Sequence, residues 1–280
     1  MPTNLFTQKD VVLLFGSDNL RTGMFRKFVN FNVRVSRACD RLVFRELSID
    51  GNETFNQIAP TVVQPGQRVA DVGGGKTPFF SPTDVRQRKL VVTGIDIDGR
   101  ELSAAPEGAY QDAIVCALEA CNGANDHDVV VAQSVLEHLI DGREAMRGIG
   151  TLLRPGGTVI TFCPNRRAWF ARLNVLLPER VKRAVLFSVF PSKRERQGFP
   201  AHYDGCTPLE MSINMRRAGI NPVDVKYYFV SSYFMFFFPL YLFWRVINYP
   251  LMRLWPSRYC ETFIVVGVRE GRQFGGSSRT

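Results

Sequence analysis

Histidine is scarce in this chain, with 3 in 280 residues. Candidate general bases are correspondingly few. The six cysteines (Cys39, Cys116, Cys121, Cys163, Cys206 and Cys260) are scattered and form no Cys-x-x-Cys pair. That argues against zinc and against a disulfide framework, so no metal is expected, and reduced thiols in a cytoplasmic protein are the simpler reading. The chain is polar before Val11 and lacks the apolar segment and small-residue cleavage site of a secretory signal. No internal repeat is present. Two glycines are also missing. Gly73-Gly74-Gly75-Lys76-Thr77 looks like a phosphate cradle, but the P-loop pattern needs Gly five residues before Gly75, where Ala70 stands. Asp71 would also put a negative charge inside that cradle. A dinucleotide G-x-G-x-x-G would need Gly at 78, where Pro78 stands.

What is present instead is an apolar run entering an acid and then three glycines, from Val69 to Pro78. A second acidic signal follows at Gly94-Ile95-Asp96. The layout reads as a strand, a tight glycine loop and a second strand ending in a carboxylate. Glycine permits positive φ and lets backbone approach a ligand closely. A carboxylate at the end of the second strand can accept from both hydroxyls of a ribose. The pattern therefore describes a socket for an adenosine-bearing cofactor.

Further landmarks follow in order: Asp112 in Tyr110-Gln111-Asp112-Ala113, the run from Asp128 through Gln133 to Leu139, and Leu152-Leu153-Arg154-Pro155-Gly156-Gly157 leading into a strand. Over residues 67–163 this set resembles the class I S-adenosylmethionine-dependent methyltransferases, in their small-molecule, type 11-like branch. The resemblance covers the middle of the chain well and its ends poorly. It implies an α/β fold with a doubly wound, seven-stranded, mostly parallel sheet and an antiparallel seventh strand. It implies S-adenosylmethionine as cofactor, held by Asp71, Gly73, Gly74, Gly75, Asp96, Ile97, Asp112, Ala113 and Gln133. Asp71 has a second reading, in which it holds the glycine loop by accepting backbone N–H bonds. Lys76 reads either as a partner for the methionyl carboxylate or as a solvated side chain.

A hydroxyl acceptor needs its proton removed, which suits His or a carboxylate. His127 precedes strand four at the far end and is discounted. His138, just beyond strand four beside Glu137, and His202 are the candidate bases. Tyr203 and Asp204 are weaker ones.

The expected strands are 67–72, 90–95, 109–111, 129–132, 158–163, 223–230 and 263–268, with 113–121 helical. A helical cap is expected over 1–60, the methyltransferase domain over 61–270 with insertions at 164–206 and 231–258, and a disordered tail over 271–280. Net charge is +9, a balance that suits nucleic acid or an anionic membrane. Residues 166–196 concentrate nine basic side chains against Glu179 and Glu195. Residues 227–244 carry no charge in 18 positions, broken by Ser231, Ser232 and Pro239. That falls short of the roughly twenty apolar residues of a membrane span. An internal cap, a membrane-facing surface and a span all remain open for it. Both insertions leave strands on the ligand face, which implies a bulky, amphiphilic or lipid-linked small-molecule acceptor. A peripheral place on the inner face of an anionic membrane follows from the same surface. A nucleic-acid methyltransferase is the alternative enzyme, but the strand-four exit Ala132-Gln133-Ser134-Val135 lacks the Asn/Asp-Pro-Pro-aromatic run of base-modifying relatives, so nucleic acid is disfavoured. A non-catalytic membrane adaptor is the remaining alternative, and it has no need of the intact acids and glycines.

Overall fold

The computed structural model describes residues 20–176, 200–230 and 234–271. Of the expected segments, 1–19 in the cap, 177–199 in the basic insertion, 231–233 in the second insertion and 272–280 in the tail lie outside the described residues.

Seven strands form one sheet: β1 (Arg68–Val72), β2 (Val91–Asp96), β3 (Asp112–Val115), β4 (His127–Gln133), β5 (Leu153–Pro164), β6 (Ile220–Tyr228) and β7 (Thr262–Arg269). Their order is β3-β2-β1-β4-β5-β7-β6. All pairings from β3 to β5 are parallel, and β7 runs antiparallel to both its neighbours. The central strands are buried on both faces, which is why they read as near-continuous apolar runs.

The flanking helices start where the sequence places caps. Asp50 accepts from Glu53 N at 2.9 Å and opens α2 (Gly51–Val62), following α1 (Leu20–Val43). Ser81 and Asp84 form a reciprocal capping box with Pro82 at the start of α3 (Pro82–Arg88). A short α4 (Gly99–Ser103) follows β2. Asp141 accepts from Arg143 N and Glu144 N to open α5 (Gly142–Leu152). After β5 comes α6 (Trp169–Leu176), and Thr207 caps α7 (Pro208–Arg217). Helices α8 (Phe238–Leu254) and α9 (Pro256–Tyr259) fill the connection from β6 to β7.

One core lies on the α5 and α7 side of the sheet, around Met146, Ile149, Met211 and Met215. The other holds Phe55 of α2 against Phe79 and Phe162. Helix α2 is thus part of the sandwich, and within the described part of the expected cap α1 packs on α8 instead. A third cluster packs Val33 of α1 and Leu47, in the 3-10 turn after it, against Met235 and against Tyr241, Trp244 and Met252 of α8.

Three expectations are corrected. Strand three is 112–115, not 109–111, and 113–121 is not helical: a single 3-10 turn, Leu118–Ala120, follows the strand. Gln111, expected inside strand three, instead precedes it, its side chain accepting from Val92 N at 2.7 Å. Strand six starts three residues early and ends at Tyr228. The uncharged stretch 227–244 is not one element. Its described residues end β6, turn at 234–237 and enter α8, whose Tyr241, Trp244, Arg245, Asn248 and Met252 are buried. Among the described residues, no helix is long and apolar enough to cross a membrane.

Candidate active site

The carboxyl ends of β1, β2 and β4 meet at the glycine loop. Gly73 takes φ +72° and donates its N–H to Ile95 O at 2.7 Å. A Cβ there would strike Val135, so the glycine lets the β1 and β4 exits touch. Gly74 faces inward, where any Cβ would collide with the Asp71 carboxylate and the Tyr110 hydroxyl. Gly75 takes φ +50°, and its Cβ position lies 3.2 Å from Asp96 Oδ2.

Asp71 is buried. Its Oδ2 accepts from Phe79 N at 2.8 Å and from Tyr110 OH at 3.1 Å. Burial raises its pKa to about 6, against the lowering effect of those two bonds. The charge therefore ties the loop rather than reaching outward. Asp96 stands half-buried at the end of β2, its Oδ1 accepting from Asp98 N at 3.0 Å. Ile97 beside it is exposed. Lys76 Nζ pairs with Glu101 Oε1 at 2.9 Å and stays partly exposed.

Asp112 and Ala113 sit elsewhere. Asp112 pairs in register with Thr93 and Ala113 with Gly94, at the start of β3, three and two positions short of the Val115–Asp96 pair. A parallel strand offers ligands its carboxyl end, so both residues lie away from the socket. Val115 and Cys116 occupy the place assigned to them: Cys116 N donates to Asp96 O at 3.0 Å.

Gln133 ends β4, and its Nε2 donates to Asn52 Oδ1 at 2.7 Å and Asn56 Oδ1 at 3.1 Å. These two asparagines are spaced i, i+4 on α2 and so share a face. The sequence reading missed them, although that spacing was the signal available. It also missed Tyr110, which has no local signature.

The two candidate bases are brought together. His202 N and Tyr203 N both donate to Glu137 O, at 2.8 and 3.0 Å. This lays the 200–204 loop along the strand-four exit. His138 Nδ1 lies 3.0 Å from Pro200 O. A carbonyl only accepts, so Nδ1 carries the proton and Nε2 is the basic nitrogen of the neutral ring. Glu137 is buried beside it, its pKa raised by burial and lowered in part by His138, with Oε1 4.0 Å from His138 Nε2. His202 itself is exposed. Ser134 and Tyr203 both hold positive φ, at +52° and +57°. Such strain in non-glycine residues concentrates at functional sites. Asp204 is occupied structurally, its Oδ2 accepting from Gly142 N at 2.8 Å. His127 lies at the amino end of β4. It is buried between Leu152 O and Thr93 Oγ1.

The strand order, the antiparallel seventh strand and an acid-glycine loop opposite a second acid define the class I methyltransferase fold. Residues 70–161 match the family model described as a methyltransferase domain, and this domain belongs to the class I S-adenosylmethionine-dependent methyltransferases. Over 168 residues the chain is 26% identical to a ubiquinone biosynthesis O-methyltransferase from Aeromonas salmonicida, covering 58% of this chain and 66% of that protein. Over 123 residues it is 32% identical to the protein of that name from Albidiferax ferrireducens, covering 41% and 46%. The matched segments thus span less than two thirds of those relatives. A solved S-adenosylmethionine-dependent methyltransferase from Mesorhizobium loti superposes with a TM-score of 0.49 at 13% identity, over 79% of this chain and 99% of that one.

Proposed function

We propose that this protein transfers the methyl group of S-adenosylmethionine to an oxygen of a small, amphiphilic or lipid-linked acceptor, with His138 taking the acceptor's proton. The observation that carries the reading is the His138 tautomer at the strand-four exit, one residue-contact away from the glycine loop through Val135 and Gly73. The socket suits an adenosyl group: Gly75 puts no Cβ between the loop and Asp96 Oδ2, and Ile97 offers an apolar surface. Asp96 would take the ribose hydroxyls, and the backbone of 73–75 would line the methionyl part.

Bound S-adenosylmethionine supplies a methyl carbon activated by its sulfonium. The chain's own part is to align the acceptor oxygen and remove its proton. Alignment alone can supply roughly 7–11 kcal/mol. His138 Nε2 receives the proton while Pro200 O holds the ring in place. The imidazolium so formed lies beside Glu137, whose ionisation it favours. Gln133, Asn52 and Asn56 present neutral amides at the β4 edge, suited to orienting a phenol or carbonyl. Oxygen rather than nitrogen is favoured by the relatives named O-methyltransferases. Their named pathway, ubiquinone biosynthesis, supports an amphiphilic acceptor.

The test separates cofactor from base. Calorimetry should show S-adenosylhomocysteine binding, weakened by Asp96→Ala by roughly 1.5–3 kcal/mol as charge-assisted bonds are lost. His138→Ala should leave that binding intact and lower methylation of a phenolic acceptor about 10²–10⁴-fold. Wild-type turnover in His138→Ala would remove the base from the mechanism. Binding of ATP or NAD in place of S-adenosylhomocysteine would remove the cofactor.

A further inference from the structure

Helices α1 and α8 lie against each other and turn apolar side chains away from the protein. On α8, Leu240, Phe243 and Ile247 follow a 3,4 spacing and are all exposed, Phe243 by 65%. On α1, Met24, Phe28 and Phe31 follow a 4,3 spacing and are exposed too, Met24 by 73% and Phe31 by 66%. The two strips are joined where Phe28 stacks on Phe237, with ring centroids 6.4 Å apart. An apolar face of this kind is uncommon on a protein that meets only water.

The charge of the two helices is mostly of one sign, and the acid that follows α1, Glu46, pairs with Arg253 of α8. The 24 residues of α1 include Arg21, Arg26, Lys27, Arg34, Arg37 and Arg41, and a single acid, Asp40. Asp40 is buried against Arg245 and offers no outward charge. Helix α8 carries no acid at all. We infer that the joined outer face of α1 and α8 docks on an anionic phospholipid surface. Apolar side chains would enter the acyl boundary and the cations would meet the headgroups. A second copy of this chain is disfavoured as occupant, because a two-fold contact would set these cations against their own copies.

The face also stands beside the chemistry. Leu47, at the end of the turn that follows α1, packs in the α1–α8 cluster. Three residues later Asp50 caps α2, whose Asn52 accepts from Gln133. Docking would therefore bring the strand-four exit to the bilayer. The inference rests on the proposed reaction only for the lipid character of the acceptor.

Co-sedimentation with vesicles tests it, using phosphatidylcholine alone and phosphatidylcholine mixed with phosphatidylglycerol. The wild type should bind the mixed vesicles more strongly, and high salt should weaken this without abolishing it, since screening acts on charge and not on burial. Leu240→Glu with Phe243→Glu should lower partitioning by about tenfold or more, because charge is excluded from the acyl boundary. Arg34→Glu with Arg41→Glu should erase the preference for phosphatidylglycerol. Both variants should melt at the wild-type temperature and bind S-adenosylhomocysteine unchanged. Three results would overturn the assignment. One is a wild type that ignores mixed vesicles at low salt, or variants that bind them as it does. Another is a fall in melting temperature on Leu240→Glu with Phe243→Glu, which would show the face covered by the chain's own segments. The last is a dimer in ultracentrifugation that those substitutions dissolve. Cofactor binding measured on the same samples stands apart: its absence would count against the methyl-transfer reading and leave the docking face untouched.

Discussion

At Asp71 the fold holds a carboxylate where its charge is costly. Raising its pKa from 3.8 to about 6 corresponds to about 3 kcal/mol of stability lost when the group ionises in the folded protein. The folded state binds the extra proton, so stability should fall as pH rises from about 4 to about 6 and then level off. Asp71→Asn removes that dependence while its amide oxygen still accepts from Phe79 N and Tyr110 OH. The variant should therefore gain on the wild type in chemical denaturation between pH 4 and pH 7. If Asp71 acts through the loop, Asp71→Asn should keep S-adenosylhomocysteine affinity, whereas Asp71→Ala should lose it along with the loop's anchor. Equal loss in both would show that the charge itself reaches the cofactor. This residue was legible in the sequence as an acid ahead of glycines, and its loop-holding alternative was too. Tyr110 was not, because its hydroxyl meets Asp71 across 39 residues of chain. The Asp112 and Ala113 assignments failed by a strand's length: counting from a strand ending at 111 puts them at its exit, and the real strand begins with them.

At the scale of elements, legibility followed burial. Strands β1, β2, β4, β5 and β7 are apolar on both faces and announced themselves. β3 is a four-residue edge strand with every side chain exposed, so nothing in its pattern had to repeat. The stretch 227–244 stayed open for the opposite reason. It ended, by the count of charges, at Arg245, yet Arg245 is 0% exposed. Its Nε donates to Asp40 Oδ1 at 3.0 Å, Nη1 to Phe229 O at 2.7 Å and Nη2 to Leu47 O at 2.8 Å, while Tyr241 OH donates to the other Asp40 oxygen. A charge read as the boundary of an apolar segment is the joint between α1 and α8. Removing one member should leave the other buried and unpaired. Arg245→Met should destabilise by roughly 3–5 kcal/mol at pH 8. The burden should ease toward acid, because burial already pushes the Asp40 pKa up and Arg245 only partly offsets this. Without the arginine, stability should fall as pH rises through the raised Asp40 pKa. Asp40→Leu combined with Arg245→Met should recover most of the loss, as apolar replacements of buried pairs often do. Equal destabilisation in the single and double variants would mean that packing, not charge, makes the joint.

Among the described residues, two cores are bound to the sheet and one is not. The α1–α8 cluster meets the rest through few polar contacts: Arg245 to Phe229 O, Trp169 Nε1 to Asn248 Oδ1 at 3.0 Å, and the Leu47 turn into α2. Units held in this way open at lower free energy than the elements buried between sheet and helices. Native-state hydrogen exchange should show the amides of α1 and α8 opening together, well before those of β1, β4 and β5. Adding S-adenosylhomocysteine should slow exchange at residues 73–77 and 96–98, where the loop and β2 exit form the socket, and should leave the order of opening unchanged. Arg245→Met should speed exchange in α1 and α8 alike, since each then loses the same partner. If α1 alone quickened while α8 stayed as slow as β4, the two helices would not be one unit. The outer face they share would then be two unrelated strips, each too narrow to hold a membrane by itself.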